Sequence, residues 1–181
     1  MRSAGRWTRF AAITELALFY LDASALVKLV REEPESTALI AFLEEADIVS
    51  SELVLTEVPR AIRRAVADDP ELSFDALIEQ AGDVLDVLAT LPIDQAMLAA
   101  AGGLPEPILR TLDAIHVAAA LTLSPVDAFV TYDERQSAAA RLASLRTVTP
   151  SEPAVRLDAE EVIEPSEPSE AIVRSIRDHG E

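Results

Sequence analysis

Short apolar runs alternate with longer segments of helical periodicity along most of the chain, and this alternation is its strongest constraint on the fold. Strands are predicted at residues 16–21, 47–50, within 87–93, at 127–132 and at 146–149. Helices are predicted at residues 23–31, 36–46, 51–67, 73–88, 95–101, 112–123 and 134–145. Because strand–helix alternation is typical of parallel sheets, the sequence predicts an α/β fold with a central parallel, doubly wound sheet.

Composition narrows the class of protein. A chain of 181 residues, half of them apolar, fits a single domain with a substantial core. Its net charge of −17 disfavours broad, non-specific adhesion to nucleic acid, but it permits an enzyme whose carboxylates hold metal ions. Cysteine is absent, which excludes disulfides and cysteine-ligated zinc and fits the reducing cytoplasm that we expect. The uncharged stretch 114–126 is too short to cross a bilayer, so no membrane span is predicted.

The two ends of the chain differ from its middle. Residues 1–17 show no clear period up to the first predicted strand and are predicted to be an N-terminal extension. Residues 151–181 carry three basic and nine acidic side chains and are rich in proline. Such a composition buries too little apolar surface to fold alone, so this acidic tail is predicted to be disordered. The predicted domain is therefore residues 18–150.

Carboxylates lie at several junctions between predicted elements. Asp22 and Asp133 directly follow predicted strands, and ligand sites of open α/β sheets form at the carboxyl ends of strands. Asp113 lies in the first turn of a helix predicted to begin after an N-cap at Thr111, where the helix dipole favours a negative charge. Glu57 lies within two turns of the start of its helix. We therefore expect these four carboxylates to meet in one cleft.

Four carboxylates in one cleft repel each other, and the pKa of at least one should rise. A divalent cation that prefers oxygen ligands relieves this repulsion. Mg²⁺ fits because it binds few carboxylates and keeps several waters, and such a site orients a phosphodiester and activates water. Spacing alone leaves alternatives open: each aspartate by itself is equally explained as a helix N-cap, and a receiver-like phosphoacceptor domain also has an acidic pocket at its strand ends.

Four stretches carry a resemblance to a known family: "FYLDASALVKL", "SELVLTEVPRAIRR", "LRTLDAIHVAAAL" and "FVTYDERQSAAA". They resemble the motifs of PIN-domain ribonucleases and, more closely, the VapC toxins of bacterial toxin–antitoxin pairs, over residues 18–150. The resemblance implies a PIN-like α/β/α sandwich and a Mg²⁺-dependent endoribonuclease, with Mn²⁺ able to substitute, that acts on structured RNA such as transfer or ribosomal RNA. It also implies a VapB-like antitoxin as partner and a homodimer.

The same resemblance assigns roles to the acidic residues. The family's catalytic carboxylates match Asp22, Glu57, Asp113 and Asp133. It implies that Asp22 and Asp113 are the metal ligands. Glu57 and Asp133 would complete the pocket and help to position the attacking water.

Other side chains are predicted to support this site. Ser24 and Thr131 match the family's small hydroxyl residues and are expected to hydrogen-bond the carboxylates or water. Arg64 lies seven residues after Glu57, and so on the same helical face; Arg64 and Arg135 are candidates for contact with RNA phosphates. His116 lies one turn after Asp113, and we predict a packed histidine with both ring nitrogens satisfied rather than a general base.

Two alternatives to a toxin ribonuclease agree less well with the sequence. A receiver-like phosphoacceptor domain needs a lysine late in the sheet, whereas the only lysine of this chain, Lys28, lies in the first predicted helix. A catalytically silent PIN-like interaction module would not need all four carboxylates.

Overall fold

A computed structural model describes residues 16–44, 46–123 and 125–151. Its strands are β1 (Ala17–Leu21), β2 (Ala46–Ser51), β3 (Ala89–Leu91), β4 (Ala128–Val130) and β5 (Thr147–Val148), and they form one parallel sheet in the order β3-β2-β1-β4-β5. The helices in these ranges are α1 (Ala23–Val30), α2 (Ser36–Leu43), α3 (Val54–Asp68), α4 (Phe74–Val87), α5 (Gln95–Gly102), α6 (Thr111–Thr122) and α7 (Glu134–Leu142). The predicted parallel, doubly wound α/β/α architecture is confirmed.

Each predicted strand and helix is present, and the differences lie at their ends. Thr111 is not the N-cap of α6 as predicted: the helix already includes Thr111, and Arg110 caps it without a side-chain hydrogen bond. Helix α7 ends at Leu142, earlier than predicted, because the chain turns through Ser144 at a φ of 66° before entering β5. Apart from Ser151, the predicted disordered tail lies outside the described ranges, as does most of the predicted N-terminal extension.

The sheet separates two apolar layers, and alternate residues of β1 enter different layers. Phe19 and Leu21 pack in the layer that contains α1, α2, α3 and α4. Tyr20 packs in the other layer, with α5, α6 and α7. Because side chains alternate across a strand and both faces are covered, β1 reads as a continuous apolar run. No helix in the described ranges is long and apolar enough to span a membrane.

The strand order fixes where a site can form. Strand β1 lies at the centre, with β2 on one side and β4 on the other. The helices that follow β1 and β2 cover one face of the sheet, and α5, α6 and α7 cover the other. The chain therefore leaves β1 on one face of the sheet and enters the neighbouring β4 from the other face. Such a topological switch point opens a crevice at the carboxyl ends of the strands. The backbone N–H of Asp22 donates to Val130 O at 3.2 Å and ties the two strand ends together there.

Candidate active site

A cleft of about 630 Å³ opens at this carboxyl edge, between α1, α3, α6 and the segment that follows β4. All four predicted acidic residues line it: Asp22, Glu57, Asp113 and Asp133. Residues up to 111 positions apart in sequence are thus brought together by the sheet topology. The expectation that these carboxylates share one cleft is confirmed, while their catalytic roles remain a prediction.

Asp22 is the most enclosed of the four, with 3% of its surface exposed. It is the N-cap of α1, and its Oδ1 accepts the backbone N–H of Ala25 at 3.0 Å and the hydroxyl of Ser24 at 2.7 Å. Its Oδ2 accepts the hydroxyl of Thr131 at 2.7 Å. Burial raises the pKa of Asp22 above its usual value, and these donors offset only part of that rise. The predicted contacts of Ser24 and Thr131 are therefore present.

Asp113 is placed in the first turn of α6, as predicted, and has an unpaired oxygen. Its Oδ2 is buried and has no hydrogen-bond partner among the described residues. Burial, together with the nearby charge of Asp133, raises the pKa of Asp113. Because a buried unpaired carboxylate oxygen is costly, this atom is a natural position for a ligand.

Asp133 is held differently, as the N-cap of α7. Its Oδ1 accepts the backbone N–H groups of Arg135 at 2.9 Å and Gln136 at 3.0 Å, and the Arg135 guanidinium lies 3.6 Å from its Oδ2. Burial raises the pKa of Asp133, but these donors and the guanidinium outweigh it, so the pKa lies below its usual value. Arg135 itself is exposed and does not line the cleft.

Glu57 reaches the cleft from α3 and is joined to a buried histidine. Its Oε2 lies 2.7 Å from Nε2 of His116, whose surface is 2% exposed. The other ring nitrogen, Nδ1, lies 2.8 Å from the hydroxyl of Tyr20. The prediction that His116 is packed with both ring nitrogens satisfied is confirmed. Tyr20 was not predicted as a site residue, and the only hint in the sequence is a tyrosine in an otherwise apolar strand.

Basic side chains face the cleft from two helices. Arg64 lines it, as its spacing from Glu57 indicated, and Arg60 lines it one turn earlier. Arg63 points elsewhere, since its guanidinium lies over the ring of Phe74 at 4.7 Å. These positions give the cleft two guanidinium groups on the α3 side.

The third basic group at the cleft, Lys28, is already neutralised by neighbouring carboxylates. Its Nζ lies 2.5 Å from Glu33 and 2.7 Å from Glu35, and 4.6 Å from the centre of the Tyr132 ring. A lysine held this way is not placed to bind a phosphoryl group, and this arrangement agrees with the sequence argument against a phosphoacceptor domain. Among the residues that the structure describes, Arg60 and Arg64 are the other two cations that line the cleft.

The carboxylate oxygens of the cleft suit a divalent cation that keeps part of its water shell. They do not form a site in which protein ligands would surround the ion completely. In the ranges that the structure describes, no three histidine, aspartate or glutamate side chains form a ready-made metal site. Two carboxylates nevertheless offer oxygens: Oδ2 of Asp113 is unpaired, and Oδ2 of Asp22 accepts a single hydrogen bond and keeps a second lone pair. Mg²⁺ typically uses one or two carboxylates and completes its shell with water.

Comparisons with known proteins indicate one family. The family model of the PIN domain matches residues 19–142. Ribonuclease VapC35 of Mycobacterium tuberculosis is 40% identical over 141 residues, which is 75% of this chain and 98% of that protein. Ribonuclease VapC46 of the same organism is 40% identical over 139 residues, or 75% of this chain and 100% of that protein.

Among solved structures, FitAcB from Neisseria gonorrhoeae superposes with a TM-score of 0.55 at 17% identity, over 73% of this chain and 97% of that one. This likeness supports the fold. The family model covers most of the chain, and the relatives match over nearly their whole length. The chain therefore belongs to the PIN-domain family and is a ribonuclease of its VapC group.

Proposed function

We propose that this ribonuclease is the toxin of a toxin–antitoxin pair, a Mg²⁺-dependent endoribonuclease that hydrolyses phosphodiester bonds in structured RNA such as transfer or ribosomal RNA. The observation that carries the proposal is that Asp22 and Asp113 line the same cleft, with Oδ2 of Asp113 buried and unpaired and with both pKa values raised by burial. PIN-domain nucleases generally depend on a divalent metal. A cation held by these two carboxylates would relieve the cost of their burial.

In this proposal Asp22 and Asp113 hold Mg²⁺, and Mn²⁺ can replace it because both ions prefer oxygen ligands. When bound, the ion supplies charge stabilisation for the phosphodiester and lowers the pKa of water. Ser24 and Thr131 hold the Asp22 carboxylate in one orientation through hydrogen bonds of 2.7 Å each. Such fixed donors matter because the geometry of a site must be set before the reaction begins.

The two remaining carboxylates complete the cleft. Asp133 has a lowered pKa and is therefore ionised near neutral pH, so it contributes negative charge next to Asp113. Glu57 is fixed at Oε2 by His116. We assign both the role of accepting hydrogen bonds from the attacking water and so orienting it.

The charges around the cleft support an RNA substrate, and the relatives support the partner. Arg60 and Arg64 are placed to contact the phosphates that flank the scissile bond, since guanidinium groups bind phosphate oxygens in a fork geometry. The VapC relatives favour a VapB-like antitoxin that blocks this cleft, and a homodimer completes the proposal. An RNA substrate would place the reaction in the cytoplasm, with which a cysteine-free chain is compatible.

The metal requirement gives the first test. Purified protein should cleave transfer or ribosomal RNA with Mg²⁺ or Mn²⁺, stop when a chelator is added, and resume when the ion is restored. Metal at 100 times its Kd should also stabilise the fold by about 2.7 kcal/mol, measured by thermal unfolding. Asp113→Asn should lose most of this stabilisation, whereas Asp83→Asn, at an exposed position on α4, should keep it. Undiminished cleavage in chelator would contradict the metal mechanism.

Arg64 gives a second test with a matched control on the same helix. Arg64→Gln should weaken RNA binding at every sequence tested and reduce the slope of log K against log salt by about 0.7–0.9, the value of one lost phosphate contact. Arg63→Gln removes the same charge from a side chain that packs on Phe74 and should change the slope little. Titrations by fluorescence anisotropy at several salt concentrations, in chelator to prevent cleavage, measure both. Equal slopes for the two variants would exclude a specific role for Arg64.

A further inference from the structure

Three buried or half-buried polar side chains from three different elements form a single hydrogen-bonded chain. Tyr20 of β1 is fully buried, its hydroxyl lies 2.8 Å from Nδ1 of His116 on α6, and Nε2 of His116 lies 2.7 Å from Oε2 of Glu57 on α3. The Tyr20 ring is itself stacked on Phe129 at 5.3 Å and meets the His116 ring edge-on at 5.9 Å. Both rings are thus fixed by packing before any hydrogen bond is considered.

The hydrogen-bond chemistry of this chain favours one arrangement of protons. A carboxylate only accepts, so Nε2 of His116 must carry a proton to bond Glu57. The opposite neutral tautomer would set the Nε2 lone pair against a carboxylate oxygen at 2.7 Å. A phenol carries its proton at neutral pH, so the O–H of Tyr20, 2.8 Å from Nδ1, is a donor for that nitrogen. Ser51 also approaches Nδ1, but at 3.5 Å it is the more distant partner.

We infer that Tyr20 and His116 are positioning residues: the Tyr20 hydroxyl donates to Nδ1 and holds the His116 ring in the Nε2–H tautomer that the Glu57 carboxylate requires, and His116 in turn holds Glu57 by Oε2 with its carboxylate directed at the cleft. Glu57 is 22% exposed and carries a long side chain, which would otherwise sample several rotamers. A buried donor that is itself fixed restricts this side chain to one. The inference deepens the proposed function and rests on it for the role of Glu57, but the tautomer can be tested without any activity.

The tautomer is measured on histidine-labelled protein by ¹⁵N NMR of the imidazole rings. The full chain contains two histidines, so His116→Gln assigns the signals. We expect His116 to show a protonated Nε2 and an unprotonated Nδ1, and Tyr20→Phe to shift the Nδ1 signal, because it removes the hydrogen bond to that nitrogen while Glu57 still requires the proton on Nε2. Thr122→Val removes a hydroxyl from the same helix, one that bonds the backbone of Ala119, and should change nothing. A protonated Nδ1 in the wild type, or an unchanged ring in Tyr20→Phe, would overturn the inference.

Cleavage kinetics test the second half of the inference. His116→Leu removes the donor to Glu57 and should lower kcat about 10–100-fold with KM little changed, the usual cost of losing a partner that orients an active-site group. His116→Gln keeps an N–H donor and should recover part of the loss. Because His116 acts through Glu57, the double variant Glu57→Gln with His116→Leu should lose no more than Glu57→Gln alone.

Separate outcomes identify which idea has failed. If the two losses multiply in the double variant, or His116→Gln is no better than His116→Leu, His116 does not act through Glu57. If wild-type protein cleaves no RNA with any divalent metal, the proposed function fails, and the NMR result still decides the tautomer. Thermal unfolding of every variant separates a loss of kcat from a loss of folded protein.

Discussion

Asp22→Asn and Asp113→Asn should each lower RNA cleavage by on the order of 10³-fold or more. Each substitution removes one of the two carboxylates that we assign to Mg²⁺, and a metal ion contributes several kcal/mol of transition-state charge stabilisation. Since each 1.36 kcal/mol is a factor of about ten in rate, the loss of that contribution accounts for the expected size. Initial rates on a labelled RNA in Mg²⁺ measure the effect, with Asp83→Asn on the exposed face of α4 as the matched control.

Both variants should fold, for reasons that differ between the two sites. Asparagine is a good N-cap, so Asn at position 22 can still accept from the backbone N–H of Ala25. The hydroxyl of Thr131, which loses its carboxylate acceptor, has a second acceptor in Oε1 of Gln136 at 3.0 Å. At position 113 the substitution removes a charge that is buried near Asp133, and this removal should stabilise the metal-free protein.

The raised pKa of Asp113 determines how this stabilisation changes with pH. Burial and Asp133 raise the folded-state pKa of Asp113 above its reference value of 3.8. The stability associated with this group is therefore complete below the unfolded pKa and is lost as pH rises through the folded pKa. In chelator, Asp113→Asn should unfold at a higher temperature than wild type at neutral pH, and the difference should disappear near pH 3. A variant that unfolds at a lower temperature at both pH values would show that Asp113 is structural.

The toxicity of the same two variants on expression in a host cell is an independent test. If cleavage causes growth arrest, toxicity should disappear with either substitution and persist with Asp83→Asn. Full activity in both Asp22→Asn and Asp113→Asn would show that the active site lies outside this cleft.

The placement of the carboxylates was predictable because it depends on local rules. Asp22 comes directly after a buried strand and caps the next helix, and both features are visible in a short stretch of sequence. Parallel strands bring their carboxyl ends to one edge, so a correct fold class was enough to bring Asp22 and Asp133 together. The error at Thr111 was of one residue, because threonine is a common N-cap, whereas here Arg110 has the extended backbone of the cap.

The side-chain contacts that hold the cleft residues in place were not predictable in the same way. The contact between Tyr20 and His116 joins residues 96 positions apart, and that between Glu57 and His116 joins residues 59 apart. A hydroxyl on a buried strand changes neither the apolar pattern nor the strand prediction, so no periodic signal marks it. The neutralisation of Lys28 by Glu33 and Glu35 likewise depends on how the turn after α1 folds back.

The second large effect is expected at Thr131, where one hydroxyl serves several groups. Its Oγ1 donates to Oδ2 of Asp22 at 2.7 Å and accepts the backbone N–H of Asp133 at 3.1 Å. Thr131→Val keeps the shape but leaves a buried carboxylate oxygen and a backbone donor without this partner. Each unsatisfied group costs about 1–3 kcal/mol, so we expect a loss of about 3 kcal/mol in the free energy of unfolding, a large fraction of the 5–15 kcal/mol typical of a domain.

Thr131→Ser is the matched control, because it keeps the hydroxyl and removes one methyl group from a fully buried position. It should cost about 1 kcal/mol, the value of one buried methyl. Urea unfolding in chelator, with the slope m checked for two-state behaviour, measures both variants. A Val variant no less stable than the Ser variant would mean that the hydroxyl does not support Asp22.

The pH dependence of this loss connects the stability of the fold to the site. Burial already raises the pKa of Asp22, and removing a donor to its carboxylate should raise it further. A carboxyl group with a raised folded-state pKa costs no stability below its unfolded pKa and costs more as pH rises through the folded value. The gap between wild type and Thr131→Val should therefore widen from pH 3 to pH 7 in chelator. Saturating Mg²⁺ should narrow it again at pH 7, because a cation favours the ionised carboxylate that the missing hydroxyl no longer stabilises.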